Sequence, residues 1–247
     1  MLNLVVDIGN TLTKFAVFNN DNLLKAEQYE HAGTEVLQGI LEEYQIARAI
    51  ISSVKSEKPG WQQYLEGKLN VLQFNSSIST NIHNHYKTPA TLGADRLAAV
   101  TGAYNLYPRE NNLIIGGGTC ITYDFVDAGA NYFGGSISPG LNMRYKAVNH
   151  YTAALPLLTV DGSFTATYGH DTASSIRSGI QNGIKYELLG FINEYVKLTS
   201  GYNIILHGGD SIFFDTLLKN SIFAPYVKIE PYLVLRGLNV AIQKYND

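Results

Sequence analysis

Residues that could bind phosphate lie close to the N-terminus, in the segment Asp7-Ile8-Gly9-Asn10-Thr11-Leu12-Thr13-Lys14. The amide, hydroxyl and ammonium groups of this segment are donors for an anion, and Gly9 allows the backbone to approach a ligand closely. A carboxylate such as Asp7 repels phosphate unless a cation or water lies between them. The segment therefore favours a metal-bound nucleotide phosphate, although ordinary hairpin turns also prefer Asp, Gly and Asn.

A second group of candidate residues, Tyr86 and Gly93-Ala94-Asp95-Arg96, precedes an apolar helix that we predict from Leu97 to Tyr104. A functional interpretation makes Asp95 a carboxylate near a helix start that faces a cleft, with Arg96 beside it to hold an anionic group. A second interpretation places Asp95 in the first helical turn only because the helix dipole favours an acid there. Periodicity alone favours this second interpretation.

Three further segments combine glycine with polar residues and are candidate ligand loops. They are Gly116-Gly117-Gly118-Thr119, Gly134 to Gly140, and His207-Gly208-Gly209-Asp210. The last lies between a predicted strand and a predicted helix, where open α/β sheets usually bind ligands. Plain connections and tight packing explain the second and third segments almost as well.

Other chemistries find little support. His83 and His85 share a face on a strand, but no third metal ligand is near them in the sequence. Cys120 lies in an apolar, glycine-rich setting, where a thiol is inert. No glycine loop is followed by the Gly-Lys-Ser or Gly-Lys-Thr of a Walker motif, and no Gly-x-Ser-x-Gly elbow occurs.

The composition is that of a folded protein with room for two domains: 247 residues, of which 45% are hydrophobic and 16% charged. A formal net charge of -3 gives no electrostatic reason to bind nucleic acid or anionic membranes. The single cysteine excludes an internal disulfide. With no signal-peptide core and no apolar stretch of membrane-spanning length, we expect a cytoplasmic protein.

The first half of the chain reads as three strands, a helix, a strand, a helix and a strand. The predicted ranges are Leu2 to Val6, Phe15 to Phe18, Leu23 to His31, Thr34 to Tyr44 with Thr34 as a cap, Ala47 to Val54, Pro59 to Leu69, and Val71 to Phe74. This order matches the ribonuclease H-like unit that is used twice in the actin-like ATPase and sugar-kinase superfamily (ASKHA).

A second copy of this pattern begins at Asn112 with another glycine-threonine hairpin. Its predicted elements are Leu113 to Ile115, Ile121 to Val126, Asn131 to Ser138, Leu141 to His150, Ser174 to Leu198, Tyr202 to Leu206, Ile212 to Leu218, and Leu233 to Tyr245. The repeat predicts an α/β, actin-like (ASKHA) fold of two ribonuclease H-like domains, residues 1–111 and 112–247. Two such hairpins would grip a nucleotide from both sides of a cleft.

Taken together and in this order, the motifs resemble those of the type III pantothenate kinases over nearly the whole chain. The matching segments are Asp7 to Lys14, Tyr86 with Gly93 to Arg96, Thr119, Gly135 to Gly140, Thr172 with Ser178-Gly179, His207-Gly208-Gly209, and Leu235 to Asn239. The resemblance implies transfer of the γ-phosphoryl group of ATP to pantothenate, giving 4'-phosphopantothenate in the first step of coenzyme A biosynthesis.

The resemblance also implies roles for single residues. Asp95 would be the general base and Asp7 would hold Mg²⁺, directly or through water. The residues Asn10, Thr11, Lys14 and Thr119 would bind phosphates, and Tyr86, Gly93, Arg96 and Thr172 would bind pantothenate. The active unit would be a homodimer in which Thr172 reaches the pantothenate of the neighbouring subunit.

Two residues depart from the family pattern. Gly116 stands where the family usually has an aspartate associated with a monovalent cation, K⁺ or NH₄⁺, and His207 stands where threonine is commoner. Loss of the carboxylate predicts weak or absent potassium activation. Two alternatives therefore remain: a kinase of another small alcohol on the same fold, and a non-catalytic regulatory relative.

Overall fold

The computed structural model describes residues 1–55, 57–78, 80–199 and 201–245. They form two compact units that are discontinuous in sequence. The first comprises Met1–Pro108, Ala130–Phe133 and the described part of Tyr232–Asp247; the second comprises Arg109–Gly129 and Gly134–Pro231. The two domains expected from the sequence, 1–111 and 112–247, are each one continuous segment, and this division stays a prediction. Residues 246 and 247 lie outside the described residues.

The strands and helices alternate along the chain largely as predicted. The strands are β1 (Leu2–Ile8), β2 (Thr13–Asn19), β3 (Asn22–Tyr29), β4 (Ile46–Ser53), β5 (Val71–Gln73), β6 (His83–Asn84), β7 (Asn112–Gly117), β8 (Cys120–Val126), β9 (Asn131–Pro139), β10 (Asn203–Gly208) and β11 (Val227–Ile229). The helices are α1 (Thr34–Glu43), α2 (Gly60–Glu66), α3 (Ala94–Leu106), α4 (Leu141–His150), α5 (Thr172–Arg177), α6 (Gly183–Val196), α7 (Ser211–Leu218) and α8 (Leu233–Lys244).

The first unit contains a five-stranded sheet with the order β3-β2-β1-β4-β5. β1 pairs antiparallel with β2 and parallel with β4. Because side chains alternate along a strand, Leu4, Val6 and Ile8 enter a core that α1 and α2 complete. Asp7 therefore lies on the opposite face of β1. Helices α3 and α8 also pack on this sheet, against β4 and β1.

Helices α3 and α8 touch closely because glycine stands on each side of their contact. A Cβ atom on Gly237 would overlap the carbonyl oxygen of Ala98, and one on Gly102 would lie 2.5 Å from the carbonyl oxygen of Leu233. No side chain fits at either position. This contact explains why the C-terminal helix belongs to the first unit, and it holds the helix whose first turn contains Asp95.

The second unit is built around the β7–β8 hairpin, in a sheet with the order β11-β10-β7-β8-β9. β9 starts in the first unit, where Asn131 and Tyr132 pair with β6. Side chains from β7, β8 and β10 form a buried core with α4, α5, α6 and α7. The predicted repeat of the opening hairpin is thus confirmed at the level of strand pairing.

Two local predictions were wrong. Thr34 does not cap α1: the cap is Gly33, and the Glu35 carboxylate fills the space beside it. The single helix predicted from Ser174 to Leu198 begins at Thr172 and is interrupted by a π-helical turn, Ser178–Asn182. The hydroxyl of Ser178 and the amide of Asn182 bind the carbonyl of Thr167, so this turn is tied to the preceding loop.

Within the described ranges, every helix is too short or too polar to cross a membrane.

Candidate functional site

The turn of the first hairpin is closed by its own backbone. The amide of Gly9 donates to the carbonyl of Leu12 at 3.0 Å, and Asn10 and Thr11 between them are exposed. The side chains of Ile8 and Thr13, at the ends of the flanking strands, are buried. Asn10 and Thr11 are therefore the residues of this segment that present polar side chains to solvent.

Asp7 is a buried carboxylate, with only 6% of its surface exposed. Burial is the main cause that raises its pKa to about 6. The positive charge of Lys14 lowers this pKa, and the negative charge of Asp95 raises it further. Lys14 lies opposite Asp7 in the β1–β2 ladder. The structure thus brings Lys14 and Asp95 within electrostatic reach of Asp7, although the sequence places these three residues in two separate motifs.

Asp95 lies in the first turn of α3 and accepts a hydrogen bond from the amide of Arg96 at 2.9 Å. Its carboxylate folds back over Gly93, the residue before the helix, where a Cβ atom would lie 2.6 Å from Asp95 Oδ1. Glu35 folds over Gly33 at the start of α1 in the same way. The local arrangement of Asp95 is therefore that of a helix-start acid, and its electrostatic interaction with Asp7 is a feature that a helix start does not explain.

Arg96 is buried, and its guanidinium carbon lies 5.9 Å from the centre of the Tyr86 ring. Tyr86 in turn stacks on Tyr132, with ring centroids 6.4 Å apart. Two residues of the predicted pantothenate segment thus contact each other. Nearby, His85 binds the side chain of Asn131 and stacks on Phe133.

The second hairpin turn has no room for a side chain at Gly116. A Cβ atom there would lie 2.7 Å from Thr122 Oγ1 and 2.8 Å from Nε2 of His207. Gly116 has no positive φ, so space rather than backbone conformation excludes a larger residue. The two departures from the family pattern therefore occur at one place, since His207 pairs with Gly116 across β10 and β7.

Thr119 is exposed at the tip of this turn, and its carbonyl accepts the amide of Gly140 at 3.1 Å. A Cβ atom on Gly140 would overlap the carbonyl oxygens of Gly118 and Thr119. The start of α4 therefore lies directly against the turn. Gly140, the last residue of the predicted loop Gly134 to Gly140, therefore cannot be replaced by a residue with a side chain unless the turn moves.

Thr172 lies at the start of α5, next to Asp171, whose side chain caps the helix by accepting from the amide of Ser174. Thr172 is exposed and lines an open pocket of about 750 Å³, which Thr119 does not line. Its lining combines apolar side chains of α4, α5 and the following loop with polar ones. The pocket is suited to a ligand with both apolar and polar parts.

The segment His207 to Asp210 lies at the end of a strand and before a helix, as predicted: His207 and Gly208 end β10, and Gly209 and Asp210 connect it to α7. The amide of Asp210 donates to the carbonyl of Gly117, and Gly208 has a φ of +84° and no space for a Cβ atom, which would overlap the carbonyl oxygen of Gly117. Burial raises the pKa of the Asp210 carboxyl. This segment is thus packed against the second hairpin.

Sequence reasoning missed Ser52. It lies opposite Asp7 in the parallel β1–β4 ladder, and its buried hydroxyl makes no hydrogen bond to any residue that the structure describes. A serine in the apolar strand β4 was visible in the sequence, but the register that places it beside Asp7 was not.

The chain was compared with known families and proteins. The family model described as type III pantothenate kinase matches residues 3–197. A type III pantothenate kinase of Phocaeicola vulgatus is 39% identical over 247 residues, which cover 100% of this chain and 99% of the relative.

Two solved structures support the fold. A Campylobacter jejuni protein assigned to the Baf family of transcriptional activators has a TM-score of 0.64 at 20% identity and covers 98% of both chains. A ROK family protein from Streptococcus pneumoniae, solved with sucrose, has a TM-score of 0.51 at 15% identity, with coverage of 100% and 99%. These likenesses confirm the actin-like α/β fold. The chain belongs to the type III pantothenate kinase family.

Proposed function

We propose that this protein transfers the γ-phosphoryl group of ATP to the primary hydroxyl of pantothenate, with Asp95 as the general base. The observation that carries the proposal is that Asp95 lies near enough to the buried carboxylate of Asp7 for its charge to raise the pKa of Asp7. Helix-start acids are common. The helix dipole does not explain why a second carboxylate, that of Asp7, lies near Asp95. Two neighbouring carboxylates are suited to a reaction in which one holds a cation and the other accepts a proton.

Asp95 needs little basicity for this role. Phosphoryl transfer passes through a loose transition state, so positioning and charge neutralisation matter more than removal of the proton early in the reaction. Asp7 would hold Mg²⁺, directly or through water. The residues fit this ion, because Asp7 is a buried carboxylate within electrostatic reach of a second one, and a hard divalent cation prefers carboxylate oxygens. When bound, Mg²⁺ neutralises charge on the phosphates.

Pantothenate carries a carboxylate, a hydroxyl and amide groups. The guanidinium of Arg96, stacked on the Tyr86 ring, is a suitable partner for the carboxylate. Gly93 leaves the space that the Asp95 carboxylate occupies, and Ala94 starts the helix that carries it. The segment thus has an anion-binding group and the proposed general base within one helical turn.

The phosphates of ATP would be bound by the two hairpin turns. In the first turn the donors are Asn10, Thr11 and Lys14, with the backbone from Ile8 through Thr13 shaping the turn around Gly9 and Leu12. In the second turn the donor is Thr119. The family's monovalent cation fits poorly here, because Thr122 and His207 crowd the position of its carboxylate ligand. We therefore assign no step to potassium.

The experiment is ATP turnover with pantothenate, with no acceptor, and with a panel of other small alcohols, each at several potassium concentrations. We expect turnover that requires pantothenate and changes little with potassium. Faster turnover with another alcohol would favour the kinase of a different substrate. The absence of turnover with every acceptor would favour a non-catalytic regulator.

We also propose that the active unit is a homodimer in the cytoplasm. The second unit, which contains Thr172, exposes several large apolar side chains, as a protein covered by a second copy would. They are Ile137, Met143, Tyr151, Leu157, Val160 and Tyr168.

If Thr172 acts on the pantothenate of its partner, Asp95→Asn subunits mixed with Thr172→Ala subunits should be more active than either variant alone. The mixed dimer then contains one site without either change. Asp95→Asn mixed with Lys14→Ala is the control, because both residues belong to the same cluster and every mixed site is defective. No recovery, with subunit exchange verified by mass, would contradict the shared site.

A further inference from the structure

The second hairpin turn has no side-chain anchor of its own. Its residues from Gly116 to Gly118 lack side chains, and Thr119 points to solvent. Backbone groups hold it: the amide of Gly118 donates to the carbonyl of Cys120, that of Asp210 to the carbonyl of Gly117, and that of Gly140 to the carbonyl of Thr119. The bond from Gly140 is the one made to Thr119 itself, so the position of Thr119 depends in part on the junction between β9 and α4.

Arg144 holds that junction from one turn further along α4. Its side chain folds back, so that Nε donates to the carbonyl of Pro139 at 2.8 Å and Nη2 lies 3.3 Å from the hydroxyl of Ser138. Its backbone amide donates to the carbonyl of Gly140. One residue thus binds the three residues that precede α4.

Glu187 on α6 holds Arg144 in this position. Its carboxylate forms an ion pair with Nη2 of Arg144 and accepts hydrogen bonds from the hydroxyls of Tyr123 and Ser138. The two charged side chains are only 19% and 21% exposed. Burial alone would raise the pKa of Glu187, but the hydrogen bonds from Arg144, Ser138 and Tyr123 hold it below the usual value.

We propose that Arg144 and Glu187 are positioning residues that hold the second phosphate-binding turn in place for ATP. Arg144 binds the carbonyl of Pro139, and the next residue, Gly140, binds the carbonyl of Thr119. This inference rests on the proposed role of Thr119 in phosphate binding. It assigns a function to two residues outside the family motifs.

The test is a KM measurement on Glu187→Gln and Arg144→Lys. Glu187→Gln keeps the side-chain length but removes the charge opposite Arg144, and Arg144→Lys keeps the charge but loses the planar group that reaches Pro139 and Glu187 together. We expect KM for ATP to rise roughly tenfold, because a misplaced binding group loses its contact geometry. KM for pantothenate should stay nearly unchanged.

Two further variants separate positioning from simple stabilisation. Glu194→Gln, on the same helix, breaks an exposed ion pair with Lys197 and should change neither KM. The swap Arg144→Glu with Glu187→Arg restores an ion pair but places a carboxylate against the Pro139 carbonyl, so it should not restore KM for ATP.

The outcomes are distinct. A lower melting temperature with an unchanged KM for ATP, a full rescue by the swap, or failure of both single variants to fold would overturn the inference in favour of a structural role. Titration of MgATP by calorimetry without pantothenate provides a second readout. If the unmodified chain binds MgATP but does not phosphorylate pantothenate, the proposed function fails while the positioning role is still tested by this titration.

Discussion

The two hairpin turns share glycine and threonine but differ in charge and in support. The first follows Asp7, a buried carboxylate with Lys14 and Asp95 around it. The second follows a strand without a carboxylate, and the space beside Gly116 is filled by Thr122 and His207. The first turn is therefore suited to the metal ion and the chemistry, and the second to binding phosphate through neutral groups. The comparison teaches that a repeated backbone motif does not imply a repeated electrostatic role.

The largest expected effect tests whether the chemistry belongs to the first cluster. Asp95→Asn should lower kcat by roughly 10²- to 10⁴-fold, because it removes the proton acceptor, while KM for ATP stays nearly unchanged. Glu35→Gln is the matched control, since Glu35 folds over a glycine at a helix start in the same way. Steady-state kinetics of both variants measure kcat and KM, and circular dichroism checks that both are folded. An unchanged kcat in Asp95→Asn would show that Asp95 is an ordinary helix-start acid and not the general base.

The next effect concerns the cost of burying the Asp7 carboxylate. Its raised pKa of about 6 means that the folded state binds more protons than the unfolded state between about pH 4 and pH 6. Stability therefore falls as pH rises through this window, and above it the ionised Asp7 costs about 3 kcal/mol.

Asp7→Asn should thus unfold at higher denaturant concentration than the unmodified chain at pH 8 without Mg²⁺, and at a similar concentration below pH 4. It should nevertheless lose turnover. Asp21→Asn, at an exposed position, is the control and should not change stability at either pH. A variant that is less stable at pH 8 would contradict the assignment.

A smaller effect is expected when the second turn is made to resemble the family pattern. Gly116→Asp alone should destabilise the fold by about 1–3 kcal/mol, because the new side chain overlaps Thr122 and His207. Gly116→Asp with His207→Thr should recover part of this stability, because the overlap with Thr122 is still present, and should make turnover respond to potassium. The measurements are melting temperature and a potassium titration of turnover.

Gly118→Asp is the control for stability, since nothing lies within 4 Å of its Cβ position. Strong potassium activation of the unmodified chain would show that its cation ligands come from elsewhere. Asp124, buried on β8, and Asp127, just after it, would then be the residues to change.

Local patterns in the sequence were sufficient for the two hairpins, the order of most elements and the family. A hairpin is specified by alternating apolar residues and a glycine turn, which are neighbours in the chain, so β1, β2, β7 and β8 could be predicted. The start of α4 and the placement of Asp95 in the first turn of α3 were predicted for the same reason. Thr34 is not the cap of α1, because Gly33 takes that position and leaves space for the Glu35 carboxylate beside it.

Only the tertiary structure showed which distant side chains meet. The contact of α8 with α3 depends on Gly102 and Gly237, which are far apart in the sequence. The pairing of Asp7 with Asp95 depends on strand register and helix packing together, and neither is a local property.

The same holds for the crowding of Gly116 by His207 and for the contact of Arg144 with Glu187. The sequence by itself determined the repeated strands and turns, because neighbouring residues specify them. The tertiary structure decided which turn carries charge and which relies on packing, because electrostatics and space depend on groups that folding brings together from separate segments.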